Sequence, residues 1–488
     1  MSGVRSSLGW AFSERYLLLA MSIASSFVLA RLLTPTEIGT YSVSLAVIGI
    51  AQVVRDFGVG GYLVQEKNLT EDHVRSAFGF TLLIGVFLFV CFLLGAPWIG
   101  RFYGNEALTR LIRISSFNFL TLPFCIISLA LLRREMQFER LLYANLATSV
   151  LRVSTTIGLA WKGFGADSLA IGSVVSNLGL GLATWIARGA PRLLAPGFRQ
   201  WSSIFGYGKQ STLANVVTGV AMDVNDLVVG KVLGVQPVAI ISRAQGIMNL
   251  YHLDITGAVR NVLFPAFAAQ HREGRNLEEK FVYAVSALTV LGWPFYAFVS
   301  IYSVETLRLL FGPQWDEAAP LVPWFCAAGA FSATWSLVLS LLTAVGRIDL
   351  ASRADLIIQP LRAAILIAVI VTFRSLEAFA TAFAIVYALM TPAFYLMKQR
   401  AVPNDGKAIL RVLAKSAGVT LLAIAPAAAM KFTLLNAGYA TVPIPAMVLA
   451  GALTLVTWLA ALHLVRHPVA KDPALQRVTS YIPFARSR

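Results

Sequence analysis

Charged residues are scarce in this sequence of 488 residues. Asp, Glu, Lys and Arg together make up 13% of it, whereas 57% of the residues are hydrophobic. A soluble domain carries about 25% charged residues, and a soluble core cannot absorb this much apolar surface. We therefore expect most of the chain to lie in a lipid bilayer.

The sequence is also poor in cysteine and histidine, and it lacks the motifs of common catalytic sites. Cys91, Cys125 and Cys326 fall in apolar segments without disulfide or metal-ligand spacing, so we expect all three to be small buried core residues. No Walker A, GxGxxG, HExxH or nucleophile-elbow motif is present. We expect no metal, no cofactor and no enzyme activity. An ion gradient, a membrane potential or substrate consumption would then supply the energy.

Long apolar runs fill the chain instead. A membrane-spanning helix needs about 20 mostly apolar residues, whereas a barrel strand has about ten in strict alternation. The runs predict an all-α integral membrane protein with fourteen transmembrane helices, and the eighth run is long enough to be tilted, kinked or partly interfacial. In chain order, spans 1 to 14 are residues 10–33, 38–64, 77–99, 111–132, 142–161, 168–187, 206–233, 236–268, 281–303, 320–344, 352–373, 377–397, 408–430 and 443–465.

Positive charge is distributed unevenly between the two sides of the predicted membrane. When the first segment is placed in the cytoplasm, most Lys and Arg fall in the cytoplasmic segments, as the positive-inside rule describes. This pattern predicts a multi-pass protein with both termini cytoplasmic. Anionic headgroups of the bilayer then account for the net charge of +16, and we expect no nucleic acid partner.

Three pairs of segments recur in the same order along the chain. Phe27–Ser44 matches Leu227–Ala244 at an offset of 200 residues, and Leu129–Val153 matches Leu339–Ala363 at an offset of 210. Between these blocks, Arg101–Leu111 is similar to Leu310–Leu321. The repeat predicts a six-helix bundle at residues 1–200 and a second at 201–400. Two extra helices at 401–466 and a basic cytoplasmic tail at 467–488 follow.

Six spans return the chain to the side from which it started, so the two bundles form a parallel repeat about an axis along the membrane normal. By analogy at the level of the fold, such halves enclose a central cavity and give alternating access to it. The sequence therefore favours a transporter.

Charged residues inside a span are costly and usually face a partner or a watery cavity. Arg55 is explained either by a local ion pair with Asp56 or by a cavity that binds an anion. Asp223 and Asp226 share one face of span 7. They either pair with arginines of other helices or form a coupling site for a proton or cation.

Span 8 carries Arg243, Asp254 and Arg260, which are too far apart along a helix to lie at one depth. Each arginine either lines a cavity or forms a structural ion pair, with Asp254 as the nearest candidate partner for Arg260. Arg152 and Arg362 are repeat equivalents, which favours an architectural role for both.

The ends of spans 1 and 7 carry Arg31 and Lys231, which snorkelling to the interface would explain. Together, the charges within the spans favour a cavity lined by cations. Guanidinium groups bind phosphate bidentately, so a diphosphate-linked lipid headgroup fits such a cavity better than a lipophilic cation does.

The segment Val28–Gln65, "VLARLLTPTEIGTYSVSLAVIGIAQVVRDFGVGGYLVQ", resembles the opening signature of bacterial polysaccharide transporters. These are O-antigen and exopolysaccharide flippases of the multidrug/oligosaccharidyl-lipid/polysaccharide exporter superfamily. Asp226–Gly234 followed by Ile241–Gln245 resembles the signature of the second half, although Ala239 and Ile241 stand where the family usually has Gly and Tyr.

The resemblance implies a flippase that moves a polyprenyl-diphosphate-linked oligosaccharide across the bacterial cytoplasmic membrane for cell-surface polysaccharide biosynthesis. It also implies a cationic substrate site at Arg31, Arg55 and Arg243, to which we add Arg260 on the same span as Arg243. The expected partners are this lipid-linked substrate, the bilayer and other polysaccharide assembly proteins.

Two other functions remain open. One is an ion-coupled multidrug or cation antiporter of the same superfamily, which would need a net acidic cavity. The other is a membrane glycan polymerase or ligase, which the short predicted outer loops disfavour.

Overall fold

The computed structural model describes residues 2–189, 195–472 and 476. Within these ranges, side chains are described except at residues 2–16, 53–54, 122, 210–218, 220–222, 254 and 354–355. The described residues form α-helices, one π-helical segment and two short 3-10 segments, with no strand among them.

The α-helices follow one another along the chain with short connections. Their bounds are α1 Ser2–Leu32, α2 Pro35–Asp56, α3 Val59–Gln65, α4 Glu71–Tyr103, α5 Glu106–Ser116, α6 Asn118–Arg134, α7 Phe138–Trp161, α8 Asp167–Ala187, α9 Trp201–Val232, α10 Val235–Asn249, α11 Thr256–Arg272, α12 Leu277–Ile301, α13 Ser303–Leu310, α14 Val322–Trp335, α15 Val338–Ala344, α16 Ile348–Phe373, α17 Leu376–Gln399, α18 Gly406–Asn436 and α19 Ile444–Leu464. The π-helical segment is Leu250–Ile255, and the 3-10 segments are Pro313–Ala318 and Pro468–Lys471.

Each of the fourteen predicted spans lies on one or more of these helices. Within the described residues, eight helical segments are long and apolar enough to cross a membrane. A ninth results when the two arms Glu106–Thr121 and Pro123–Arg134, bent by 45°, are taken as one span. The all-α, multi-span class is therefore confirmed, while the number of fourteen crossings stays a prediction.

Several predicted spans are interrupted rather than straight. Span 2 divides into α2 and α3, span 4 into α5 and α6, and span 10 into α14 and α15. The long span 8 consists of α10, the π-helical segment and α11. Because π-helical turns are rare and often lie at functional sites, this interruption marks span 8 for closer inspection.

The turns at the repeated motifs occur at equivalent positions. The α1–α2 turn and the α9–α10 turn are 200 residues apart. Thr34 and Glu37 form a capping box, in which the Thr34 hydroxyl accepts from the Glu37 N–H at 3.3 Å and the Glu37 carboxylate accepts from the Thr34 N–H at 2.8 Å. In the second copy, Gly234 makes the turn with a φ of 102°.

A second matched turn lies between α6 and α7 and, 210 residues later, between α15 and α16. Met136 and Gly346 occupy equivalent positions there, with φ of 57° and 79°. Left-handed backbone is costly for Met and free for Gly, so the turn geometry agrees although the residue differs. The repeat of whole bundles remains a prediction.

The chain divides into two compact units, Met1–Ala239 and Ile240–Arg488. In the first unit, α7 packs on α8, α2 on α9 and α4 on α5. The short α3 buries Val59, Tyr62 and Leu63 in a cluster with α4 and α6. This cluster holds the break between α2 and α3 in place.

The second unit is built around α12, which contacts α14 and α18. The two helices beyond the predicted repeat, α18 and α19, pack on each other and belong to this unit. Glu305 is 3% exposed; it binds Lys431 of α18 at 3.0 Å and accepts from the N–H of Val442, just before α19, at 3.1 Å. At the start of α12, Glu278 forms an ion pair with the buried Lys398 of α17.

One prediction about cysteine is wrong. Cys125 and Cys326 are buried as expected, but Cys91 is exposed on α4. Only 28% of the most apolar stretch of α4 is buried inside the protein. Lipid tails are as apolar as a protein core, so an apolar surrounding in the sequence does not distinguish a lipid-facing cysteine from a buried one.

Candidate functional site

Arg55 lies at the end of α2, where span 2 is broken. Its side chain is almost completely buried, and its Nε and Nη2 donate to Oδ1 of Asp56 at 2.9 and 2.5 Å. No hydrogen-bond partner for its buried Nη1 is found in the described part of the chain. Arg55 therefore forms the local ion pair considered above, and one N–H donor remains for water or a ligand.

The break beside Arg55 is held by an aromatic residue. Phe57 has a φ of 34° and Gly58 a φ of 66°, both left-handed. The Phe57 ring lies 5.1 Å from that of Phe80 and 5.6 Å from that of Phe205. A Cβ on Gly208 of α9 would lie 2.1 Å from the Phe57 ring, so α9 approaches the break closely.

The acidic residues of span 7 lie on α9 in the first unit. A Cβ on Gly49 of α2 would be 2.8 Å from Oδ2 of Asp223, so this carboxylate lies against the α2 backbone. Asp226 is close enough to Asp223 for their charges to interact. Neither aspartate belongs to an ion pair among the described residues.

Asn225 lies between these aspartates in sequence. Its side-chain oxygen is buried, and no donor to it is found among the residues that the structure describes. Carboxylate and amide oxygens suit a proton or a hard cation. This part of α9 can therefore hold positive charge.

The remaining charges of the first unit lie nearer its surface. Lys231 ends α9, lies 4.3 Å from the centre of the Phe102 ring and donates to the Phe102 carbonyl at the end of α4. Arg31 ends α1 and is exposed, and Arg152 is exposed on α7 within electrostatic range of Tyr41. Lys231 therefore joins two helix ends, whereas Arg152 lies on an exposed face of α7.

In the second unit, Arg243 of α10 is stacked on aromatic rings. Its guanidinium carbon lies 5.0 Å from the centre of the Phe311 ring and 4.9 Å from that of Trp315. Trp315 is completely buried. Cation–π contact of this kind holds a guanidinium in place without neutralising its charge.

Arg260 and Arg362 both lie within electrostatic range of His252, and we call these three residues the cation cluster. The positive charges of Arg260 and Arg362 both act on the His252 imidazole. His252 lies in the π-helical segment, and its Nδ1 is 2.8 Å from the hydroxyl of Ser332 on α14. Arg362 of α16 donates from Nη1 to the Tyr387 hydroxyl of α17 at 3.1 Å.

Several buried polar atoms around the cation cluster have unused hydrogen-bonding groups. Within the described residues, Nε of Arg362, Nε1 of Trp335 and Oε1 of Gln359 have no hydrogen-bond partner. The Trp335 and Tyr387 rings are 5.9 Å apart, so Trp335 adjoins the hydroxyl-bearing ring that Arg362 binds. Buried polar groups are normally satisfied; two donors and one acceptor fit a ligand that carries both anionic oxygens and hydroxyls.

The structure thus groups the predicted site residues differently from the sequence. Arg260 and Arg362 are both within electrostatic range of His252, while Arg243 contacts aromatic rings on another segment of the second unit. The side chain of Asp254 lies outside the described residues, so its proposed pairing with Arg260 is not described. The sequence analysis did not name His252, Trp335 or Tyr387 as site residues. Of the three, only His252 could have been recognised from the sequence, because it is a polar residue within span 8.

Comparison with known proteins assigns the chain to a family. Residues 28–320, more than half of the chain, match the family described as "Polysaccharide biosynthesis protein". The chain belongs to this family. It is a multi-pass membrane protein.

This polysaccharide biosynthesis protein is similar to two named bacterial proteins. It is 25% identical over 358 residues to the teichuronic acid biosynthesis protein TuaB of Bacillus subtilis (strain 168), which covers 72% of each chain. It is 22% identical over 347 residues to the lipopolysaccharide biosynthesis protein WzxC of Escherichia coli (strain K12), which covers 70% of each chain.

The fold is also found in a solved structure. The lipid II flippase MurJ in its inward closed conformation matches with a TM-score of 0.74 and 12% identity, over 94% of this chain and 98% of that one. At this identity the likeness concerns the fold alone. It confirms the all-α, multi-span architecture predicted above.

Proposed function

We propose that this protein is a flippase that moves a polyprenyl-diphosphate-linked oligosaccharide across the bacterial cytoplasmic membrane by alternating access. The exported unit serves the biosynthesis of a cell-surface polysaccharide such as O-antigen, capsule or exopolysaccharide. Both termini are cytoplasmic, and the protein catalyses no reaction. The names of TuaB, WzxC and the lipid II flippase MurJ support this class of cargo.

The observation that carries the proposal is the cation cluster of the second unit. Arg260 and Arg362 offer positive charge, and the partnerless Nε of Arg362 offers a donor to a diphosphate oxygen. Nearby, Trp335 and Gln359 can bind sugar hydroxyls. Arg243 adds a third guanidinium of the second unit, held by aromatic rings.

Arg31 and Arg55 are proposed substrate-binding residues of the first unit. Arg55 keeps one buried donor, although Asp56 neutralises much of its charge. Arg31 is exposed at the end of α1 and can meet a headgroup at the membrane interface. We expect a smaller contribution from each than from the cation cluster.

We assign energy coupling to Asp223 and Asp226. Two neighbouring carboxylates repel when both are ionised, so a proton or a small cation between them is favourable. The contact of Asp223 with α2 at Gly49 links this charge change to the packing of two helices. Ion binding at α9 would therefore bias which conformation the first unit adopts.

A transport assay tests the proposal. The full-length protein is reconstituted in vesicles with a labelled polyprenyl-diphosphate oligosaccharide, a membrane potential is applied, and a glycan-cleaving enzyme is added outside. Protein-dependent cleavage of the inner-leaflet substrate measures flipping. We expect Arg362→Gln to slow flipping about tenfold or more, because a hydrogen bond to a charged group contributes about 1.5–3 kcal/mol.

Arg152→Gln is the matched control, since Arg152 is the repeat equivalent of Arg362 but is exposed. It should leave the flipping rate within about twofold of the unmodified protein, because an exposed charge contributes little. An absence of protein-dependent cleavage with an authentic substrate would refute the flippase proposal. Equal rates for Arg362→Gln and the unmodified protein would refute the role of the cation cluster.

The acidic pair of α9 favours one alternative, an ion-coupled multidrug or cation antiporter. Such a protein would bind its cationic cargo where Asp223 and Asp226 lie. It would take up a cationic dye into vesicles in exchange for protons or sodium ions, and Asp226→Asn would stop that uptake. Oligosaccharide flipping without dye transport would exclude the antiporter.

A further inference from the structure

A long apolar groove lies in the first unit between α6 and α8. It has a volume of about 560 Å³. Phe117 and Phe124 line one side, Leu178 and Leu182 line the other, and these four side chains are 45–57% exposed. We call this feature the α6–α8 groove.

Hydrogen bonds join α6 to α8 beneath the groove. Asn177 of α8 donates from Nδ2 to Oδ1 of Asn118 at 2.6 Å, and its backbone carbonyl accepts from the Cys125 thiol at 3.2 Å. These contacts hold α6 to α8 and give hydrogen-bond partners to the amide and the carbonyl of Asn177. The walls that remain are mainly apolar side chains.

Two features of the backbone keep the groove open. The arms on either side of Pro123 are bent by 45°, which turns the two parts of the span away from each other. Gly181 lies on the groove wall, where a Cβ would be 3.4 Å from the Cys125 sulfur and 3.8 Å from Cβ of Phe124. A single methyl group fits there, but a ring would extend into the groove.

One end of the groove is cationic. Arg188 lines it and follows the last residue of α8, where a positive charge also faces the negative end of the helix dipole. Nearby in the fold, α6 ends with Arg134, which is already used to bind the carbonyls of Leu63 and Glu66 at 2.9 and 2.5 Å. Arg188 is therefore the cation that the groove offers to a ligand.

The dimensions of the groove select the shape of its occupant. From Val174 to Arg188, α8 rises about 21 Å, and the hydrocarbon of one leaflet is about 15 Å thick. The length and the apolar walls of the groove match one extended hydrocarbon chain.

We propose that the α6–α8 groove binds one acyl chain of an anionic phospholipid, with the lipid phosphate at Arg188. Apolar walls in a membrane-spanning unit suit the chain, and a guanidinium suits the phosphate. A cationic pocket at the end of transmembrane helices is also a known way to select anionic over zwitterionic headgroups. The groove is a lipid site separate from the cation cluster.

Photo-cross-linking tests the proposal on the full-length protein in nanodiscs. The probes are phosphatidylglycerol and phosphatidylcholine, each with a diazirine in one acyl chain, and the labelled peptides are identified by mass spectrometry. We expect phosphatidylglycerol to label peptides of α6 and α8 at least fivefold more than phosphatidylcholine does. Arg188→Gln should bring that ratio close to one.

Gly181→Phe should reduce the labelling of these peptides at least fivefold, since the ring occupies the groove. Gly95→Phe on α4 is the matched control, because nothing lies within 4 Å of its Cβ position, and it should leave the labelling unchanged. A thermal unfolding scan shows which variants are folded, and Gly181→Leu replaces Gly181→Phe where the larger ring prevents folding.

Three outcomes would overturn the proposal. Labelling of α6 and α8 could match that of other exposed helices, or it could persist in folded Gly181→Phe or Gly181→Leu. Displacement of the probe by polyprenyl phosphate but not by unlabelled phosphatidylglycerol would assign the groove to a different lipid. None of these results depends on transport, so they leave the flippase proposal to its own assay.

Discussion

The charged clusters singled out in the two units are of opposite sign. In the first unit, α9 places Asp223 against α2 and Asp226 within electrostatic range of Asp223, and the buried Arg55 is already bound by Asp56. In the second unit, the positive charges of Arg260 and Arg362 both act on His252. We therefore propose that ion coupling depends mainly on the first unit and cargo binding mainly on the second.

The repeat equivalents Arg152 and Arg362 make the same point for a single position. Both occupy the same place in the aligned motif, yet Arg152 is exposed and Arg362 binds Tyr387 in a setting with unused donors. Identical residues at equivalent positions therefore do not imply a shared role, and the architectural role predicted for this pair stays untested. The difference lies in what neighbouring helices place around each guanidinium.

Loss of the two arginines of the cation cluster should have the largest effect on flipping. We expect the double variant Arg260→Gln with Arg362→Gln to slow flipping at least about 100-fold, because it loses two charge-assisted interactions of about 1.5–3 kcal/mol each. Initial rates in the vesicle assay, normalised to the amount of reconstituted protein, measure this. A rate near that of the unmodified protein would show that the second unit does not hold the diphosphate.

Loss of the two aspartates of α9 should change ion coupling but not cargo binding. With Asp223→Asn and Asp226→Asn combined, we expect the stimulation of flipping by an ion gradient to fall about tenfold. Binding of the lipid-linked oligosaccharide to the purified protein should be unchanged. Asp72→Asn is the control, as Asp72 is half-exposed in a surface ion pair with Arg199. Lost binding of the oligosaccharide would contradict the division of roles between the units.

The close approach of α9 to the break beside Arg55 can be tested by measuring the stability of glycine variants. A Cβ on Gly208 would lie 2.1 Å from the Phe57 ring, whereas nothing lies within 4 Å of that position at Gly206. We expect Gly208→Ala to destabilise the protein by about 1–3 kcal/mol through overpacking, and Gly206→Ala to have little effect. Thermal unfolding of both variants in the same detergent measures the difference. Equal melting temperatures would mean that α9 does not clamp the break.

Much of the fold follows from local sequence. Apolar runs of sufficient length predict helices wherever they occur, and turn residues such as Thr34 and Gly234 place the breaks between them. The interior breaks of spans 2 and 4 escaped prediction. At Phe57 a non-glycine residue adopts a left-handed backbone, and Pro123 lies within an otherwise continuous apolar run.

The candidate site was less predictable than the fold. The intramembrane charges were visible because charge is rare in a span, so Arg260, Arg362 and the α9 aspartates could be named. Their groupings could not be, since contacts such as Arg362 with Tyr387 join helices whose relative rotation is set by packing. Trp335 and Tyr387 look like ordinary apolar positions in the sequence, as Cys91 does on a lipid-facing helix.

The final helices of the second unit have no counterpart in the first. The smallest effect that we expect is on their pH-dependent stability. His467 follows α19 and is buried; its Nε2 lies 3.3 Å from the Ser286 hydroxyl and 3.2 Å from that of Ser416, so it joins α12 and α18. Burial, together with the charge of Lys415, lowers the pKa of His467 to about 4. The unfolded chain binds this proton with a pKa of about 6.5.

Between these two pKa values the unfolded state takes up the proton more readily, so acidification destabilises the folded protein. The contribution of His467 is fully present above pH 6.5 and is lost as the pH falls towards 4. We expect a loss of about 0.8 kcal/mol between pH 7.5 and pH 6 from this residue alone. His467→Gln should remove that part of the pH dependence of the melting temperature, whereas His271→Gln, at an exposed position on α11, should retain it. An unchanged pH dependence in His467→Gln would mean that the contact between the last helices and α12 does not depend on a neutral histidine.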